Sequence, residues 1–504
     1  MTAPAATVSL SAEAPTTGDI AAIARRGARL SISPEVEARI LAARAVVDRY
    51  AASHVPVYGL TTGLGAGVDT RLAAEDLVAF QRRVPDGRAV GVGPALPREV
   101  VRAMMAARIA GMATGGAGVS LPVFAGLVAA LNAGVHPVVP ALGSIGAADL
   151  APLAHMGRAL LGDGEAEFGG TVMPAAEALR RAGLEPLPLA PKDGHAIVVA
   201  NSLSVGKACL CLEDIERLFG WSLAAVALNF EAFRANVTAL DDRALAARPA
   251  FGQRAVADRL RALLAGSALL AEGAARRVQD PLSYRCAPQV WGALHHAIGE
   301  ARAATEIELA GSGDNPVVLA SEGLILSHGN FDLTAFVLAW ERLGQAMAHA
   351  AAATAYRVMK IMSAGLSDLP RFLTPVGAGR AGFGPVQKTV SALEAEIRHL
   401  AAPASLAPIP VADGVEDQAS LAPGVLAKTE AIIDRLRFLV AIELIVSAQA
   451  VELRGVEAAL GAGTAEAYRL VRSHVAPLVE DRAQSADFLR LAEVIRTAAP
   501  HHGP

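Results

Sequence analysis

Residues 426–455 read LAKTEAIIDRLRFLVAIELIVSAQAVELRG, a run without proline and with glycine only at its last position. Nothing in it breaks a helix. Ile432, Ile433, Leu436, Leu439, Val440, Ile442 and Leu444 wrap most of the way round that helix instead of forming one stripe, which predicts a place at the centre of a bundle. Working outward, the Ala-rich stretches 97–113, 204–235, 253–276 and 332–362 carry apolar residues at three- and four-residue spacing and predict further long helices. Glycine and proline gather instead at 56–67, 84–96, 136–152, 311–316, 374–385 and 403–414, which read as the loops between them. The expected fold is mostly α with a central bundle of long helices. A change from loop-rich to helix-dominated sequence near residue 205 divides it into 1–205 and 206–504.

With 504 residues, 53% of them hydrophobic, the chain can bury a large core. Its net charge of -4, with both signs mixed along the chain, gives no electrostatic case for nucleic acid or an anionic membrane surface. A small-molecule substrate is the better expectation. Charged residues interrupt the apolar runs before the ~20 residues a membrane span needs. The stretch Met1–Asp19 lacks the basic and apolar segments of a secretory signal, so a cytoplasmic location is expected. Cys209, Cys211 and Cys286 form no CxxC pair and meet no histidine cluster at metal-ligand spacing, which predicts buried thiols and no metal site.

The chemistry should lie in the loops. In Val57-Tyr58-Gly59-Leu60-Thr61-Thr62-Gly63-Leu64-Gly65 glycines surround one tyrosine, a segment able to hold a phenol at a cavity edge as a base, or simply to bury a tyrosine in a turn. Further along come Gly143-Ser144-Ile145-Gly146-Ala147-Ala148-Asp149-Leu150, Gln279-Asp280-Pro281-Leu282-Ser283-Tyr284-Arg285, Gly313-Asp314-Asn315-Pro316, Ser327-His328-Gly329-Asn330-Phe331 and Glu416-Asp417-Gln418-Ala419-Ser420. In this order, and on to the helix ending Glu452-Leu453-Arg454, the chain resembles the histidine/phenylalanine ammonia-lyase superfamily over roughly residues 20–480. The resemblance implies the ammonia-lyase (fumarase/aspartase-like) fold and a homotetramer whose active sites draw on more than one subunit.

It also implies an electrophilic methylidene-imidazolone cofactor built by cyclising and dehydrating an internal Ala-Ser-Gly. Where the family reads Gly-Ser-x-Gly-Ala-Ser-Gly-Asp-Leu, this chain reads Gly-Ser-Ile-Gly-Ala-Ala-Asp-Leu, one residue shorter and with no serine to dehydrate. Ala147, Ala148 and Asp149 thus form a degenerate cofactor loop, and the expectation is no cofactor. That electrophile makes a free amine able to leave, a task ordinary side chains do not perform. A quaternary trimethylammonium needs no such help, because it already carries the charge and departs neutral. The family's ergothionase branch works this way on a histidine-derived betaine, and it gives the leading expectation: a cofactor-independent carbon–nitrogen lyase releasing trimethylamine and an aryl acrylate. The alternatives are a histidine or aromatic amino acid ammonia-lyase, and a non-catalytic homologue.

Carried over residue by residue, the resemblance makes Tyr58 the base that removes the β-proton. Arg285 matches the arginine that pairs with the substrate carboxylate, where a planar fork of donors suits a two-oxygen acceptor. Glu416 matches the glutamate on the imidazole side of histidine-specific pockets, and Asn315 and Phe331 lie at motif positions. Lys388, in the helix before the Glu416 loop, is a candidate to contact the ring substituent or to pair with Glu416, with a solvated lysine as the alternative. Departures mark the remaining candidates. Arg88 stands where histidine-specific enzymes carry histidine, Asn201 lies about two positions beyond the family asparagine, and Tyr284 appears two residues after Leu282, which replaces the family tyrosine.

Overall fold

The computed structural model describes residues 6–377 and 379–500. Long helices dominate it: Arg98–Ala113, Ser202–Phe233, Ala287–Ala310, Thr334–Ile361 and Ala422–Arg454, with Val386–Leu400 shorter. The helix Ala422–Arg454 buries the residues that wrap it, Ile432, Ile433, Leu436, Leu439, Val440, Ile442 and Leu444, to 2% exposure or less, as the all-round apolar pattern predicts. The expected helix over 253–276 stops at Leu263. Gly266 turns the chain at φ +80°, and the Ser267 side chain then accepts the Leu269 N–H to cap a short 3-10 turn.

The described strands are short and pair in small sheets. Thr7–Leu10 runs parallel to Arg29–Ile32, with Val8 opposite Leu30. Val92–Ala95 runs antiparallel to Pro140–Leu142. Glu165–Phe168 sits between His136–Pro137 and Thr171–Pro174. Val317–Leu319 pairs antiparallel with Leu324–Leu326. Elements of two to four residues are too short to show an alternating pattern in sequence.

The chain forms two compact units, each assembled from separated stretches. One unites Met1–Glu213, Arg302–Leu338 and Pro403–Leu426, and the other Asp214–Ala301, Ala339–Ala402 and Ala427–Pro504. Residue 205 falls inside the helix Ser202–Phe233. Asn315 and Glu416 therefore share a unit with Tyr58, although they lie far along the sequence, while Arg285 and Lys388 belong to the second unit.

The first unit packs Met104, Met105, Ile109, Phe124, Leu127, Leu153 and Ile197 into one core. In the second, Arg357 donates to both oxygens of Glu443, at 2.6 and 2.8 Å, with neither side chain exposed. Such a pair is stable only because each charge meets the other in a two-point fork. One helical stretch, within 193–233, is long and apolar enough to cross a membrane, but 89% of its apolar window is buried in the protein. Its apolarity is that of a core helix.

Candidate functional site

Tyr58 sits on a turn fixed by its own backbone. The Leu60 and Thr61 N–H groups donate to the Val57 carbonyl at 3.1 and 3.0 Å, and the Thr61 hydroxyl accepts the Val57 N–H at 2.8 Å. Gly59 takes φ +68°, a conformation that costs glycine nothing. The chain then returns so that the Gly65 N–H donates to the Tyr58 phenol oxygen at 3.0 Å.

The phenol borders a cavity of about 460 Å³ within the first unit, lined also by Ala147, Ala148, Asn315, Phe331 and Glu416. That volume suits a small metabolite. The structure thus brings together Tyr58, Ala147, Ala148, Asn315, Phe331 and Glu416 from distant motifs. Asn315 is held by its side-chain oxygen, which accepts the His328 N–H at 2.9 Å, so its amide donors have no partner among the described residues. Arg88 lies within electrostatic reach of both Tyr58 and Glu416. Burial lowers its pKa, and the charges of those two groups oppose the shift.

The cavity also has walls that sequence reasoning missed, namely Val199, Asp332 and Asp417. Asp417 follows a motif residue directly and could have been found; Val199 and Asp332 carry no chemical signal in the sequence. Glu308 approaches Asp332 from the helix Ala287–Ala310, and burial, followed by the Asp332 charge, pushes its carboxyl up to about 7.

Behind the cavity the Asp314 carboxylate and Arg108 form a buried fork, with contacts of 2.6 and 3.3 Å. Lys192 donates to the Ala117 carbonyl at 2.7 Å. Burial pulls its ammonium down to about 8, against the opposing charge of Asp314.

The loop that lines the cavity with Tyr58 is the segment in which the resemblance places the cofactor precursor. Ala148 takes φ +64° at a tight turn in which Gly146 and Ala148 pair, a conformation rare for a residue with a Cβ. Asp149 is fully buried. Its carboxylate accepts the Ser204 N–H and the Ser144 hydroxyl, each at 2.8 Å, and its own N–H donates to the Ala200 carbonyl at 2.7 Å. Burial raises the Asp149 pKa while these hydrogen bonds oppose it. Ser144 is the nearest loop hydroxyl, and its oxygen is committed to Asp149 and to the Gly146 N–H at 3.2 Å. Nothing between Gly146 and Asp149 can lose water to form an exocyclic methylidene, so these residues do not fit the precursor.

Of the other expected residues, Asn201 donates its amide to the Phe331 carbonyl at 2.7 Å, and its side-chain oxygen is buried with no partner among the described residues. In the second unit, Arg285 uses Nε to hold the Asp280 carbonyl at 2.9 Å. Its terminal nitrogens carry no hydrogen bond among the described residues, which leaves the fork open. Lys388 is exposed on the helix Val386–Leu400 and makes no ion pair among the described residues. Tyr284 requires a correction. Instead of reaching a substrate, it is 1% exposed, stacks on Phe233 at 4.2 Å and donates its hydroxyl to Asn229 at 2.8 Å. Burial raises its pKa well above the usual value.

Comparison with known proteins places this geometry in a family. The aromatic amino acid lyase family model matches residues 16–473. A histidine ammonia-lyase of Symbiobacterium thermophilum is 38% identical over 95% of this chain and 94% of its own length. Among solved structures, ergothionase from Treponema denticola, in complex with desmethyl-ergothioneine sulfonic acid, superimposes with a TM-score of 0.93 at 32% identity, covering 97% of this chain and 99% of that one. Histidine ammonia-lyase from Trypanosoma cruzi gives 0.90 at 29% identity, covering 97% and 93%. The chain belongs to the aromatic amino acid lyase family and is a lyase with the mostly helical fold of that family.

Proposed function

We propose that this lyase eliminates a tertiary amine, trimethylamine, from a histidine-derived betaine such as ergothioneine, without a methylidene-imidazolone. The observation that carries the reading is the serine-free loop Gly146–Asp149, whose Ala147 and Ala148 line the same cavity as Tyr58. In the proposed step Tyr58, ionised beside Arg88 and the Gly65 N–H, takes the β-proton. The electrons of that C–H bond form the carbon–carbon double bond, and the C–N bond breaks with its pair going to nitrogen. Because the ammonium is already quaternary, the amine leaves neutral and no electrophile is needed. Glu416 faces the ring and accepts its N–H, while Arg285 takes the carboxylate within a homotetramer that shares its sites.

A second reading, a histidine ammonia-lyase, is favoured by the names of the relatives at 36–38% identity. One assay separates the two. Purified protein is given ergothioneine, its sulfur-free betaine, or histidine, and trimethylamine, ammonia and a new conjugated acrylate absorbance are followed. Trimethylamine from a betaine is expected; ammonia from histidine at an enzymatic rate would overturn the reading in favour of the second.

The role given to Arg285 has its own check. Arg285→Lys keeps the charge and loses the planar fork, so substrate binding should weaken by about 1.5–3 kcal/mol. An unchanged KM would leave this arginine a structural tie to Asp280.

A further inference from the structure

The turn that presents Tyr58 does not rest on its own hydrogen bonds alone. Gln81, on the helix Leu77–Asp86, is fully buried, and both ends of its amide are used. Its Nε2 donates to the Gly59 carbonyl at 3.0 Å, and its Oε1 accepts the His195 backbone N–H at 2.9 Å. One side chain therefore ties the residue after Tyr58 to the helix Asp193–Val198. The two backbones approach so closely that a Cβ on Gly194 would stand 1.9 Å from the Gln81 carbonyl oxygen.

His195 faces the turn from that helix. Its ring meets the Tyr58 ring edge to face, with centroids 5.7 Å apart and planes at 81°. A Cβ on Gly59 would lie 2.9 Å from His195 Cγ, so the turn sits directly on the imidazole. His195 is 1% exposed, and neither ring nitrogen has a partner among the described residues. Burial, then Lys192, Arg88 and Arg108, hold it uncharged. A buried polar ring that bonds to nothing forgoes the solvation it had in water, so its use must lie in its shape and place. The segment continues past the end of the helix to Val199, in the cavity wall, and to Ala200, whose carbonyl accepts the Asp149 N–H at 2.7 Å. It is the common support for the phenol and for the loop on which Ala147 and Ala148 lie.

We propose that Gln81 and His195 are positioning residues for Tyr58: the Gln81 amide locks the Tyr58–Gly59 turn to the helix Asp193–Val198, and the His195 ring is the seat that sets the phenol at its place in the cavity. This rests on Tyr58 being the base. Neither side chain lines the cavity, so both act through the tyrosine.

The test is a set of single and double variants, assayed on whichever of ergothioneine or histidine the enzyme turns over, with folding checked by thermal melting. Gln81→Leu keeps the bulk and removes both hydrogen bonds; His195→Ala empties the seat. Each should lower kcat by ~10–100-fold, the usual result of a base displaced by about an ångström, with KM within about twofold. His195→Leu, which refills the volume, should recover most of the His195→Ala loss. In a Tyr58→Phe background the further drop should shrink to less than about threefold, because a seat has no effect once the group it seats is gone. Folded Gln81→Leu with parental kcat would overturn the proposal, as would a full-sized drop that persists in the Tyr58→Phe background or a rise in KM in place of the fall in kcat. Should Gln81→Leu fail to fold, the His195→Ala and His195→Leu pair carries the same decision. Parental activity in Tyr58→Phe alone would strike the base assignment itself, a result read before any double variant is made.

Discussion

Tyr58→Phe is expected to lower turnover by about 10²–10⁴, the usual worth of a positioned base, while substrate affinity changes little. The variant keeps the ring that packs against His195 and loses only the oxygen that receives the Gly65 N–H. In the proposed elimination the leaving group is pre-activated, so β-proton removal would be the one essential proton transfer. Among the described residues of the cavity wall no second side chain is a phenol or an imidazole, and in the proposed mechanism Glu416 is engaged by the ring. If chemistry limits the rate, a substrate deuterated at the β-carbon should show a primary isotope effect with the native enzyme. Retained activity in a folded variant of unchanged oligomeric state would remove Tyr58 as the base. Tyr284 could not then take over, since its hydroxyl is buried against Asn229.

The sequence made the helices readable where they are long and buried. The predicted stretches 97–113, 204–235 and 332–362 match Arg98–Ala113, Ser202–Phe233 and Thr334–Ile361 within two residues at either end, because many turns of a helix repeat one spacing. Stretch 253–276 was overread for the opposite reason. Alanine and leucine continue past Leu263, while the chain turns away at the positive φ of Gly266 and again at Gly273. At the site, Tyr58, Asn315, Phe331 and Glu416 were named through the motifs that resemble the family's, and the cavity collects all four. Tyr284 was misread, since nothing local reveals that Asn229 and Phe233 enclose it. Gln81 and His195 carried no signal, because the backbone groups that the Gln81 amide bonds and the Tyr58 ring that the His195 ring meets lie far away in sequence.

Asp314→Asn should be among the most destabilising single changes in the first unit, on the order of 3–5 kcal/mol, because it leaves a buried arginine without its counter-charge. Arg108 is 1% exposed and Asp314 2%, so water cannot replace the lost carboxylate. A drop in melting temperature of roughly 5–10 °C is expected, and an unchanged melting temperature would show the fork to be dispensable. Activity should fall as well. The Asp314 carbonyl holds the His328 ring at 2.8 Å, and the His328 N–H in turn fixes Asn315 in the cavity wall. Two cations share the lost charge, and they differ in how they can respond. Lys192, already pulled down to about 8 by burial with Asp314 among the charges that oppose the shift, can release its proton and become neutral. Arg108 cannot, so it bears the cost. Adding Arg108→Met to Asp314→Asn should therefore recover more of the lost stability than adding Lys192→Met. Equal recovery from both would mean that the charge of Lys192 is as much a burden as that of Arg108.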